Sequence, residues 1–160
     1  MPIKKLRQFL DENRVKYISI IHSKAYTSDR IAESAHISGN ELAKTVMLKK
    51  DGELCMAVLP ASRHVNRAAF AKLTNSGEVS LASERDFKDR FPDCEVGAMP
   101  PFGNLYGFPV YVDTSLTLDK EIAFNAGSHL ELIKLAYSDF ERLVKPIVLD
   151  FTAESASHAA

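Results

Sequence analysis

Apolar positions recur along this chain with two different periods, and each period predicts its own element. Near the start, Ile3, Leu6, Phe9 and Leu10 fall three and four residues apart, the spacing of one helix face, with Pro2 placed as a first-turn proline. The β-branched and aromatic run "VKYISIIH" then predicts a strand ending at His22. "TSDRIAESAH" predicts a short helix opened by Thr27 or Ser28. In "AKTVMLKKDGELCMAVLP" two apolar runs flank Asp51-Gly52, a dipeptide that supplies the positive backbone angles of a tight hairpin turn. "NRAAFAKLT" predicts a helix capped by Asn66, "EVSL" a short strand, and "SERDFKDRF" a helix stopped by Pro92. "PVYVD", "EIAFNA" and "HLELIKLAY" predict three further strands. In "SDFERLVKP", Ser138 and Glu141 have the spacing of a capping box, and Pro146 marks that helix's end.

Short helices mixed with hairpin-linked strands are not the regular alternation of a doubly wound parallel sheet, and no glycine-rich nucleotide fingerprint is present. The expected class is α/β of the α+β type. It is one domain with a central mixed, mostly antiparallel sheet, partly barrel-like, flanked by helices. The 160 residues suit one full core. The small, polar end "ESASHAA" reads as a disordered tail, so the domain is assigned to residues 1–151 and the tail to 152–160.

Charge narrows the partners little. The net charge of -1 advertises no global field for nucleic acid, although a local basic patch would not show in that sum. Cys55 and Cys94 lie far apart and lack a second ligand at metal spacing, which suggests reduced thiols and no metal. The N-terminal residues alternate charged and apolar side chains, unlike a secretory signal, and no apolar run reaches membrane-spanning length. The expectation is a cytoplasmic protein without cofactor.

Chemistry has few places to reside. A nucleophile elbow, a phosphate-binding Gly-x-x-x-x-Gly-Lys and a His-Glu-x-x-His are all absent. Three candidates remain. Lys44 shares a strand face with Val46 and Leu48, so it points inward if those two do. It then serves as a point charge for a phosphate or carboxylate; the plain alternative is a strand-end lysine reaching water. "VGAMPPFGNLYGFPVYVD" holds three of the seven glycines and three of the seven prolines. Gly97 admits close approach to the main chain, and Pro100-Pro101 keeps the segment out of a central strand. The segment is either a backbone wall for a small substrate or a rigid crossover. Third, "AGSH" breaks a strand at Gly127 before Ser128 and His129; the histidine either meets substrate or is merely solvated.

In this order "AKTVML", "AVLPAS", "VGAMPPFGN", "VYVD" and "NAGSHLELIKL" resemble the YbaK-like family. That family comprises the editing domain inserted in bacterial prolyl-tRNA synthetases and its free-standing relatives. The likeness runs from about His22 to Pro146, which suggests a stand-alone member. It implies hydrolysis of mischarged aminoacyl-tRNA in trans, without a metal. By this resemblance Lys44, Gly97 and His129 are catalytic. Ala98, Met99, Pro100, Pro101, Gly127 and Ser128 bind substrate. Lys44 holds the phosphate or ribose region of the terminal adenosine, the Gly97–Pro101 backbone frames the ester, and His129 lines the amino-acid pocket. The implied partner is the aminoacyl-tRNA acceptor end, with a synthetase as a further candidate and a monomer or homodimer as the assembly. The competing readings are a non-catalytic aminoacyl-tRNA or small-molecule sensor, and hydrolysis of another activated ester.

Overall fold

The computed structural model describes residues 3–21 and 41–153. The Thr27–His36 helix, Pro2 and His22 lie outside them. Helix α1 (Lys4–Glu12) buries Leu6 and Leu10, the stripe its spacing predicts. Strand β1 (Tyr17–Ile21) follows. The hairpin of β2 (Ala43–Lys50) and β3 (Glu53–Pro60) turns at Asp51 and Gly52, whose φ values of 51° and 85° are those a two-residue loop demands. Next come β4 (His64–Val65), α2 (Arg67–Leu73), β5 (Val79–Leu81) and α3 (Glu84–Phe87). Asn66 caps α2 as predicted, its side chain accepting from Ala69 N–H at 3.0 Å. Asn66→Ala is expected to destabilise the fold by about 1 kcal/mol, read as a shift in the urea midpoint at unchanged m.

The second half contributes β6 (Val110–Asp113), β7 (Glu121–Asn125), β8 (Glu131–Ala136), α4 (Tyr137–Val144), β9 (Ile147–Leu149) and β10 (Thr152–Ala153). Three details differ from the sequence reading. The predicted helix over "SERDFKDRF" breaks after Phe87 into a 3-10 turn, Lys88–Arg90. Helix α4 starts at Tyr137 with Ala136 as its cap, so Ser138 and Glu141 form no capping box. Strand β8 runs straight into that helix, and Tyr137 N–H is satisfied by the Lys120 carbonyl at 3.0 Å instead. Thr152 and Ala153, which fall within the segment assigned to the tail, pair as β10 with β4.

The described strands form three open sheets rather than one. Five run in the order β5-β2-β3-β6-β9, three in the order β1-β8-β7, and β10 pairs with β4. All pairs are antiparallel except β3–β6 and β6–β9. The chain is therefore a mixed, mostly antiparallel α+β domain with four described α-helices. No described helix is long and apolar enough to cross a membrane.

Strand alternation divides the core. Met47, Met56, Val58, Val110 and Val112 face the larger cluster, which takes in α1, Phe102, Phe124 and Phe140. Leu48, Cys55, Ala57, Leu59 and Tyr111 face a smaller cluster closed by Phe70 and Phe151. Asp113 locks this second layer. Its buried carboxylate accepts from Phe151 N–H at 2.9 Å, Thr152 N–H at 3.1 Å, the Thr152 hydroxyl at 3.0 Å, and both N–H and hydroxyl of Ser115. Those bonds replace the water the carboxylate loses on burial.

Candidate active site

The glycine–proline segment divides into an exposed turn and a buried arm. Glu95–Ala98 closes a turn through Ala98 N–H to the Glu95 carbonyl at 3.0 Å, with Gly97 at φ 84° in its third position. A side chain there would sit in the left-handed region, which is why glycine occupies it. Beyond the turn, Ala98, Met99, Pro100 and Pro101 are buried, and Met99 and Phe102 belong to the larger core. The arm anchors the turn and leaves Glu95, Val96 and Gly97 facing solvent.

The second loop meets this turn through the backbone. Glu95 N–H donates to the Gly127 carbonyl at 2.8 Å, and Gly127 N–H donates to the Ala98 carbonyl at 2.9 Å. Both ends of the first turn are thus stitched to one residue of the second. Gly127 has φ 97°, and a Cβ on it would lie 2.4 Å from Ile3 Cγ2. Its lack of a side chain admits α1's leading residue beneath the site, where Ile3 N–H also bonds the Ala126 carbonyl at 3.2 Å. Ser128 is half-buried and its hydroxyl accepts from Leu130 N–H at 2.9 Å.

His129 leans back over the first turn. Its Cε1 would lie 3.4 Å from a Cβ at Gly97, and its Nε2 is 2.8 Å from the Val96 carbonyl. A carbonyl only accepts, so Nε2 carries the hydrogen, and in the neutral ring Nδ1 keeps a lone pair for another donor. The His129 N–H adds a long contact to Glu95 Oε2 at 3.5 Å. Among the described residues no hydrogen bond engages the N–H of Val96 or Gly97. The turn therefore carries two adjacent free amides, and because the Val96–Gly97 peptide is trans the Gly97 N–H points away from the ring that the Val96 carbonyl meets.

Lys44 lies on β2 opposite Leu59, on the side of the smaller cluster with Val46 and Leu48, and half-buried. Burial lowers its pKa from the usual lysine value. Among the described residues its ammonium has no hydrogen-bond or ion-pair partner, and no bond joins it to either loop. An isolated parallel bridge between Leu42 and Ala123 brings the chain just before Lys44 alongside β7, which continues from Asn125 directly into the Gly127 loop.

The aminoacyl-tRNA editing domain matches residues 22–143, most of the sequence. This chain belongs to that family. Among curated proteins none matches it. Solved structures share its fold at low identity. The hypothetical protein APE2540 aligns with a TM-score of 0.82 and 19% identity over 94% of this chain and 100% of its own. A candidate trans-editing enzyme for prolyl tRNA synthetase aligns at 0.81 and 14% over 94% and 96%. A signal transduction protein assignment from Marinobacter aquaeolei VT8 aligns at 0.74 and 18%, covering 96% of this chain but 31% of that one.

Sequence reading singles out the two loops of this editing domain but not their union. It also passes over three participants. Glu95 supplies the amide and carbonyl that close the turn, Ile3 fills the space under Gly127, and Asn125 ends the strand that leads from the Leu42–Ala123 bridge into the Gly127 loop. Only Ile3 carries a local signal, as part of a helical stripe, and that signal points to core packing.

Proposed function

We propose that this editing domain hydrolyses the ester of mischarged aminoacyl-tRNA, acting in trans, by water attack that needs neither a metal nor a protein nucleophile. The observation that carries the reading is the stitched pair of loops, which sets the free Val96 amide and the oriented ring of His129 on one exposed turn. Water oxygen bonds to the ester carbonyl carbon, and the bond from that carbon to the ribose oxygen breaks. The ribose oxygen takes up a proton, and free amino acid and uncharged tRNA leave. The Val96 N–H donates to the oxygen on which negative charge develops, a preorganised dipole. Nδ1 of His129 accepts a hydrogen bond from the attacking water or the substrate's amino group. The Lys44 ammonium holds the phosphate or ribose region of the terminal adenosine as a point charge. An aminoacyl ester is already activated, so orientation and fixed dipoles suffice.

Selection rests on pocket size, where one methylene is worth about 1–3 kcal/mol and a second sieve is therefore useful. A panel of correctly and incorrectly charged tRNAs, presented to chelator-treated protein, tests the whole reading. It includes proline tRNA carrying small amino acids, because one structural neighbour bears a name tied to prolyl-tRNA synthetase. Release of one or two small amino acids is expected, with His129→Ala slowing it by about tenfold or more. Binding of tRNA with no release from any charged species would overturn it. That outcome favours a sensor module, the role suggested by the same fold forming 31% of a signal transduction protein's chain.

A further inference from the structure

Beside the Glu95–Ala98 turn lies a cleft of about 510 Å³ lined by Lys5, Arg90, Pro92, Asp93, Leu105 and Tyr106. Tyr106, the one aromatic ring among its described lining residues, begins a row of rings that runs back into the core with a cation at each end. Lys5 Nζ sits 4.6 Å from the Tyr106 ring centre, Tyr106 lies 4.5 Å from Phe91, Phe91 stacks on Phe108 at 5.5 Å, and Arg90 sits 4.5 Å over Phe108. Among the described residues neither cation has a carboxylate within ion-pair distance. The one acid in the cleft, Asp93, is engaged by the Tyr106 hydroxyl at 3.2 Å. Two exposed cations are thus held in place by aromatic faces while their charge stays open to a ligand.

Two of the cleft's lining residues lie close along the chain to residues that hold the candidate site. Lys5 is two residues along α1 from Ile3, which packs beneath Gly127. Asp93 is two residues before Glu95, at most about 7 Å along the chain. We propose that this cleft binds the sugar–phosphate backbone of the single-stranded RNA leading to the terminal adenosine, with Lys5 and Arg90 as its phosphate contacts. The proposal rests on the deacylase reading for the direction in which the RNA enters. Backbone recognition is favoured over base stacking because Lys5 covers one face of Tyr106 and Phe91 packs against the ring, so no face is left for a base. Binding here is therefore insensitive to the bases at these positions.

Lys5→Ala/Arg90→Ala tests this with two substrates and an affinity measurement, thermal melts confirming the fold. Affinity for uncharged tRNA should fall about tenfold at low salt, and the slope of log K against log salt should shrink by about 1.4, two phosphates' worth on a single strand. Turnover of an aminoacyl ester of adenosine alone should be unchanged, while kcat/KM on the charged tRNA falls about tenfold with the affinity. Lys5→Arg with Arg90 retained should bind as the unmodified protein does. An unchanged affinity and salt slope would overturn the cleft proposal even if deacylation proceeds normally. Absence of any RNA binding by the unmodified protein would overturn it as well. A charge-dependent affinity in a protein that deacylates nothing would support the cleft and remove the deacylase reading instead.

Discussion

Replacing Lys44 by methionine is expected to lower kcat/KM for deacylation by about 100-fold or more while making the folded protein more stable. The two effects have one origin. The ammonium is half-buried on the strand face that carries Val46 and Leu48, burial lowers its pKa, and among the described residues no acid offsets it. A lysine whose folded pKa lies below its unfolded value binds its proton more weakly when folded. Between those two values the unfolded chain holds more protons, so stability rises with pH through that window, and below it the charged lysine opposes folding. Methionine keeps the stem's volume and removes the charge. Thermal melts should thus show a higher Tm for Lys44→Met at neutral pH, with the difference shrinking as pH rises through the alkaline window. Lys44→Arg should keep a charge but not the alkaline fall in activity that deprotonation of lysine produces. A Lys44→Met protein that deacylates at the unmodified rate would remove Lys44 from the site. One that is less stable at neutral pH would show that the ammonium is compensated by something other than a described residue.

Gly127→Ala carries the second large effect. Its φ of 97° puts an L side chain in the left-handed region, which costs about 1–2 kcal/mol. The new methyl would also meet Ile3 Cγ2 at 2.4 Å, an overlap that adds about 1–3 kcal/mol unless α1 shifts. The combined loss of about 2–5 kcal/mol should lower Tm by several degrees. Function should suffer more than stability. If α1 and the 126–129 loop move apart, Gly127 loses register with Glu95 and Ala98, and a misplacement of about 1 Å is enough to cost roughly 100-fold in rate. The double variant Ile3→Ala/Gly127→Ala separates the two causes. It removes the overlap and leaves the backbone strain, so stability should recover by about 1 kcal/mol or more relative to additivity. Strict additivity of the two substitutions would show that the overlap is not what destabilises the loop.

These two positions also show what the order of residues conveyed and what it did not. Gly127 is legible as a strand breaker, and Lys44 as a member of a period-two face, because both are local properties of a few neighbouring residues. The family likeness then assigned each a task. The sequence does not tell that Gly127 lies over Ile3, since that contact joins residues more than a hundred positions apart. Nor does it tell which side of the five-stranded sheet Lys44 takes. Val46 and Leu48 do face apolar neighbours, as the alternation implies, but they face the smaller cluster rather than the larger one. β3, buried on both sides, gives no hint of which layer is which.

Helix stripes, the Asp51-Gly52 turn, the Asn66 cap and the stop at Pro146 were settled by the sequence itself, because each depends on bonds and sterics within a few residues. The tertiary structure alone decided the parallel placement of β6 between β3 and β9, the burial of Asp113 under Phe151 and Thr152, and the meeting of the two turns. The last of these rests on backbone N–H and carbonyl groups, which every residue except proline carries alike. Hydrogen bonds between main-chain groups thirty residues apart leave no mark in side-chain chemistry, so only the folded chain could bring Gly127 to Glu95 and Ala98.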